Sequence, residues 1–276
     1  MHRPDALPTT TADPTGLRWS SSSRSHAGRV RPVNEDACLD QPTHGVWAVA
    51  DGMGGHALGE FASRLAVRCL TDLPEAASLA DRLQAAEQRL QDANRRLRAE
   101  AARRDLPVIG TTIATLLAVG PHCACVWAGD SRIYLLRDGR LRQLTRDHNH
   151  LEALRALHAE ATLALHAPDS EPTLERPPSN LITRALGAED TLDLDSLTVD
   201  VQDGDVFLLC SDGLSNEVAD LDIAQALLPG HCRLAAEALV HLALDQGGHD
   251  NITAVVVRAE DLDGVERTAV NLPSLP

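Results

Sequence analysis

Val46-Trp47-Ala48-Val49-Ala50-Asp51-Gly52-Met53-Gly54-Gly55-His56 opens on five apolar residues and closes on an aspartate set among glycines. The apolar run is too short for an independent helix and reads as a buried strand. Glycine lets the backbone turn sharply after it and lets a carbonyl approach a ligand closely. Three further strands carry an aspartate at one end. Cys123–Ala128 runs into Gly129-Asp130-Ser131, and Val206–Cys210 runs into Ser211-Asp212-Gly213. Asp250-Asn251 stands immediately before Ile252–Val257. Three of these aspartates follow a strand and one precedes it, so an antiparallel sandwich can bring all four to one edge. Taken singly, each is best explained as turn chemistry. Four at the ends of the most apolar strands weaken that explanation.

Working outward, Ile113–Val119 reads as a fifth buried strand, and Arg132–Arg137 with Leu141–Leu144 reads as a hairpin around Asp138-Gly139. Apolar residues at 58, 61, 62, 65, 66, 69, 70 and 73 form a helical stripe stopped by Pro74. Leu79, Leu83, Ala86, Leu90, Ala93 and Leu97 alternate spacings of four and three. This run is too short for a sustained coiled coil and is expected to pack on a sheet. Another helix is expected over Arg233–Asp245. Strands come in runs and helices in groups, which argues for an α+β sandwich of mostly antiparallel sheets. Residues 1–17 and 261–276 are polar, Pro-bearing and aperiodic, and are expected to be tails around a domain at 18–260.

The 276 residues carry 40 acidic and 25 basic side chains, a formal charge of −15. Every basic residue other than histidine is Arg. A P-loop lysine, a kinase strand lysine, a Schiff-base lysine and an S-x-x-K nucleophile are thereby excluded. With 2% aromatics and an acidic balance, no nucleic-acid platform is expected. Six cysteines in a chain this long, without an apolar leader, read as reduced core residues. No run reaches the length of a membrane span. A soluble cytoplasmic protein, acting as a monomer, is the expectation.

Convergent aspartates repel. Two carboxylates about 4 Å apart cost roughly 4 kcal/mol at an effective dielectric near 20. Arg or hard cations relieve such a cluster, and an all-oxygen ligand set selects Mg²⁺ or Mn²⁺.

The ordered motifs resemble the metal-dependent PPM, or PP2C-type, protein phosphatases in their bacterial form. Gly28-Arg29-Val30-Arg31-Pro32-Val33-Asn34-Glu35-Asp36-Ala37 is similar to the first family signature and Asp51–His56 to the second. Gly110-Thr111-Thr112, Ala128–Arg132, Leu144–His148, Thr183–Gly187, Ser211–Leu214 and Asp250–Thr253 follow in family order. The resemblance covers about residues 18–258. It implies a four-layer α-β-β-α fold, a central β-sandwich flanked by helices on both sides with the metal site at one end. It implies that Asp51 bridges two Mn²⁺ or Mg²⁺ ions, completed by Asp212 and Asp250 on one ion and by the Gly52 carbonyl and Glu35 on the other. Asp130, with Asp212, would hold a third ion. Arg31 would bind the phosphate, its planar fork meeting two oxygens. Asp36, His56 and Asn251 would stand behind these groups. The implied chemistry is hydrolysis of phosphoserine and phosphothreonine on proteins by a metal-activated water, opposing a Ser/Thr kinase.

Two departures stand out. Where many eukaryotic relatives have a histidine proposed as general acid, this chain has Met53, which leaves a metal-bound water or His56 to protonate the leaving oxygen. The flap expected over 148–180 lacks the usual Gly and His-Pro landmarks, and altered substrate choice is the expectation. Its histidines (148, 150, 158, 166) lack the accompanying P-C-x-x-C of zinc deaminases and read as core or surface residues. No Cys-x₅-Arg and no G-x-S-x-G elbow occurs. Asp193-x-Asp195 reads as exposed strand positions. A non-catalytic PP2C-fold sensor or scaffold is the rival reading, and loss of a metal aspartate would favour it. The compact form and the Cys123–Asp130 stretch are also similar to phosphatases of type VI secretion clusters, which implies a partner kinase and a forkhead-associated protein.

Overall fold

The computed structural model describes residues 17–53, 57–150, 152 and 182–261. Two antiparallel sheets stack face to face. The first has the order β1 (Leu17–His26), β11 (Ile252–Asp261), β10 (Val206–Cys210), β7 (Arg132–Arg137) and β8 (Arg140–Gln143). The second has the order β2 (Asp36–Gln41), β3 (Val46–Met53), β5 (Ile113–Val119), β6 (His122–Ala128) and β9 (Asp195–Asp200), with β4 (Gly110–Thr111) pairing the end of β3.

The apolar runs are continuous because both faces of each sheet are covered. Along β3, Trp47 and Val49 point between the sheets, where they join Leu116, Cys125, Ile133, Phe207, Leu209 and Val255. Val46, Ala48 and Ala50 point the other way, against α1 (Ala57–Cys69) and α2 (Leu79–Arg103). On the far side Leu208 and Val256 pack under α4 (Asp220–Leu227) and α5 (Cys232–Asp245). A short α3 (Asp212–Ser215) follows β10. The α+β four-layer arrangement expected from the sequence is therefore the observed one.

Ala86, Leu90, Ala93 and Leu97 of α2 are buried in the helix-on-sheet core, as a helix packed on a sheet requires. Ser78 caps this helix, its hydroxyl accepting the Asp81 N–H at 3.1 Å. Helix α1 stops at Cys69, with Leu70 and Leu73 buried in the turn beyond. The hairpin's second strand sits one residue earlier than its apolar pattern suggested, because Leu144 N–H bonds back to Ile133 outside the ladder. All six cysteines are free.

Strand β1 was not legible in advance. Its serine-rich run pairs with β11 along its whole length, from Leu17↔Asp261 to His26↔Ile252, and reaches one residue into each segment read as a tail. Trp19 anchors it, 5.2 Å from Trp47 and 6.3 Å from Phe207 between ring centroids. Asp195 opens β9 as expected, whereas Asp193 lies before the strand. Apart from 148–150 and 152, the flap lies outside the described residues, and so do His56, His158 and His166. Among the described residues no helix is long and apolar enough to cross a membrane.

Candidate metal centre

The ends of β3, β6 and β10 and the start of β11 meet at one edge of the sandwich. Asp51 is carried by β3, and the register sets it opposite Asp36 of β2. Its backbone is fixed from both sides. The Asp51 N–H donates to Thr112 Oγ1 at 2.9 Å, and its carbonyl accepts from Thr112 N–H at 2.9 Å and Thr111 Oγ1 at 2.8 Å. Thr112 Oγ1 in turn meets Ser131 Oγ at 2.7 Å, beside Asp130. Two glycines make this packing possible. A Cβ on Gly52 would lie 2.1 Å from the Gly59 carbonyl oxygen and 2.7 Å from that of Glu35. Gly129 has φ +111°, and a Cβ there would strike the Thr112 side chain at 2.6 Å.

Asp36 ties the two sheets together beneath the site. Its buried Oδ2 accepts from Ser211 Oγ at 2.8 Å and from Thr253 Oγ1 at 2.6 Å. Burial pushes its carboxyl up to about 7, although both hydroxyls act to lower it. Asn251 holds the loop that joins β1 to β2. Its amide donates to the Ala27 and Val33 carbonyls, both at 2.9 Å, and its Oδ1 accepts the Glu35 N–H at 2.7 Å. That loop presents Arg31, whose Nη2 donates to Asp250 Oδ2 at 2.8 Å.

The electrostatics are those of buried like charges. Burial first, and then the charges of Asp36, Asp212 and Asp130, hold Asp51 well above the usual carboxylate range. Asp212 lies against Asp51 and is raised too, chiefly by burial. Asp130 is pushed up to about 7 by burial, then by Asp212 and Asp147. The buried oxygens Asp130 Oδ1 and Asp212 Oδ1 have no hydrogen-bond partner, which is costly for a carboxylate removed from water. Among the described residues no three His, Cys, Asp or Glu side chains close into a ready-made ligand set.

Behind Asp130, Arg132 grips the buried Asp147 with Nε at 3.0 Å and Nη2 at 2.8 Å. His148 Nδ1 accepts the Gly129 N–H at 3.2 Å, so Nε2 carries the proton toward Asp195 Oδ2 at 3.2 Å. Burial lowers the pKa of His148, and its ring stacks on Trp127 at 6.1 Å.

Of the residues singled out from the sequence, Asp51, Asp130, Asp212, Asp250, Glu35 and Arg31 share this edge, with Gly52, Asp36 and Asn251 beneath or beside them. The threonine and serine hydroxyls of Thr111, Thr112, Ser131, Ser211 and Thr253 were missed as positioning groups. They lie within the quoted motifs, but nothing in a hydroxyl's spacing reveals which backbone it holds.

Residues 24–246 match the family description "Protein phosphatase 2C". The chain belongs to the protein phosphatase 2C family. It is 37% identical over 249 residues to the serine/threonine protein phosphatase PstP of Mycobacterium tuberculosis, a match that covers 90% of this chain. The same match spans only 46% of that relative's length. Among solved structures, PppA, described as a key regulatory component of the T6SS in Pseudomonas aeruginosa, superposes with a TM-score of 0.78 at 43% identity. That match covers 88% of this chain and 98% of PppA. The catalytic domain of PstP in complex with two manganese ions superposes with a TM-score of 0.75 at 35% identity, covering 89% of this chain and all of that one.

Proposed function

We propose that the chain hydrolyses phosphoserine and phosphothreonine on proteins in a metal-dependent reaction at the Asp51 edge. The observation that carries the reading is the pair of unpartnered buried oxygens, Asp130 Oδ1 and Asp212 Oδ1, beside Asp51. An all-oxygen, anionic, partly dry donor set of this kind suits Mn²⁺ or Mg²⁺. Asp51, Asp212 and Asp250, with the Gly52 carbonyl and Glu35, would hold two ions, and Asp130 with Asp212 a third. When bound, the ions supply an activated water and charge neutralisation at phosphorus.

The protein's own groups do the rest. Arg31 is half exposed, its side chain 53% accessible, and can turn from Asp250 to two oxygens of a phosphate. Asn251 and Asp36 keep its loop and the strand ends in register. Hydrolysis breaks the bond between phosphorus and the seryl or threonyl oxygen, and that oxygen must gain a proton. Met53 cannot donate one, so His56 or solvent supplies it.

Substrates are phosphorylated proteins, and the natural opponent is a Ser/Thr kinase. The likeness to PppA and the Cys123–Asp130 stretch support a place in type VI secretion control. We read the chain as a cytoplasmic monomer acting beside a forkhead-associated protein. The test is phosphate release from a phosphothreonine peptide with Mn²⁺, with Mg²⁺ and after EDTA. Inertness with either metal across several phosphoproteins would instead favour the non-catalytic scaffold.

A further inference from the structure

Away from the aspartates, α1 and α2 enclose a cavity of about 620 Å³ on the outer face of the second sheet's helical layer. Arg64 and Arg68 line it from α1, and Arg89 and Arg96 from α2. Glu60 engages Arg64, and Asp92 is engaged by Arg95. Arg68, Arg89 and Arg96 form no ion pair or hydrogen bond with the described residues, and Asp72 is the one remaining carboxylate on the lining. Arg89, Arg96 and Cys69 share the lining, and the charges of both arginines bear on the Cys69 thiol. In a chain of net charge −15, three guanidinium groups around one cavity with no partner among the described residues are a local reversal of sign.

The shape narrows the ligand. Arg89 and Arg96 are seven residues apart on one face of α2, about 10 Å along the axis. Leu65, Cys69 and Ala93 give the cavity an apolar floor, and Phe61 at its rim is 42% exposed. An apolar side chain next to an anionic one therefore has a place. A phosphate brings close to two negative charges and three acceptor oxygens, which guanidinium forks meet better than they meet a lone carboxylate. A nucleic acid would meet the repulsion of the remaining acidic surface.

We propose that this cleft binds a phosphorylated segment of a protein partner, with the phosphate held by Arg68, Arg89 and Arg96 and a neighbouring apolar side chain laid on Phe61 and Leu65. The site is separate from the aspartate edge, and its occupation needs no turnover. The test is fluorescence anisotropy with the full chain in EDTA and a labelled peptide in which phosphothreonine precedes leucine. The phosphopeptide binds. Its unphosphorylated and glutamate-substituted twins bind at least about ten-fold more weakly. Arg89→Gln with Arg96→Gln weakens the phosphopeptide by about ten-fold or more, and Arg68→Gln alone weakens it less. Arg31→Gln leaves the affinity unchanged. Thermal midpoints of the cleft variants match the wild type, because these side chains are exposed and pair with none of the described residues. Equal binding by the Arg89/Arg96 variant, loss of binding with Arg31→Gln alone, or equal affinity for the glutamate twin would each overturn the assignment. A phosphatase reading that failed in its own assay would leave these results untouched.

Discussion

Arg31 Nη2 donates to Asp250 Oδ2 at 2.8 Å, so a guanidinium of the aspartate edge is held by an aspartate of that edge. The pair is exposed enough to open: the side chains are 53% and 38% accessible. Asp250 thus parks Arg31 beside the place where a phosphate would sit. Arg31→Ala is expected to lower kcat/KM on a phosphothreonine peptide by about 10- to 100-fold, the worth of a charged hydrogen bond or two. Arg31→Lys keeps the charge but loses the fork, and is expected to recover only part of that loss. Steady-state kinetics on both variants check this, with Mn²⁺ held constant.

Asp36 joins the sheets by accepting two hydroxyls with one buried oxygen. Asp36→Ala strands Ser211 and Thr253 in the interior and is expected to destabilise the fold by about 2–4 kcal/mol. Urea unfolding monitored by tryptophan fluorescence measures it, since Trp19 and Trp47 pack against each other between the same two sheets.

The raised carboxyls make a pH prediction whose sign is fixed. Asp36 and Asp130 stand at about 7 in the folded chain against an ordinary value near 3.8, and Asp51 and Asp212 are raised as well. The folded state therefore holds protons that the unfolded chain has released. The stability these groups contribute is complete below pH ~4 and is lost as pH rises through ~7. In EDTA the thermal midpoint is expected to fall across that window. Added Mn²⁺ is expected to raise the midpoint far more at pH 8 than at pH 5, because the ions compete with protons for the same oxygens. Differential scanning fluorimetry across pH, with and without Mn²⁺, tests both halves. An apo midpoint that rises toward pH 8 would contradict the burial and mutual repulsion of these carboxylates.

The strands with both faces buried were legible because a continuous apolar run leaves little else to form: Ile113–Val119 and Val206–Cys210 end where the sequence pattern ends. The aspartates were legible for the same reason, each standing at the end of such a run. Strand β1 was not, because Ser20–Ser23 carry no strand signal of their own and are ordered by pairing with Val255–Arg258, more than two hundred residues away. Helix α4 escaped notice as well, its buried face amounting to Ile223 and Leu227. At the site, the four strand-end aspartates could be read from the sequence pattern, and Glu35 and Asp36 from the family resemblance. The hydroxyls that aim them could not, since Thr112 holds Asp51 only once β3 has paired with β4 and β5, and Ser211 holds Asp36 only once the two sheets have stacked.

The most direct measurement is phosphate release from a phosphothreonine peptide as a function of Mn²⁺, run in parallel on the wild-type chain and on Asp212→Asn. The wild type is expected to turn over only with metal, to saturate with Mn²⁺ and to stop on addition of EDTA. Asp212→Asn is expected to remain folded and to lose activity by about 100-fold or more. Turnover that persists in EDTA, or an Asp212→Asn variant as active as the wild type, would contradict a metal-dependent phosphatase centred on the Asp51–Asp212 edge.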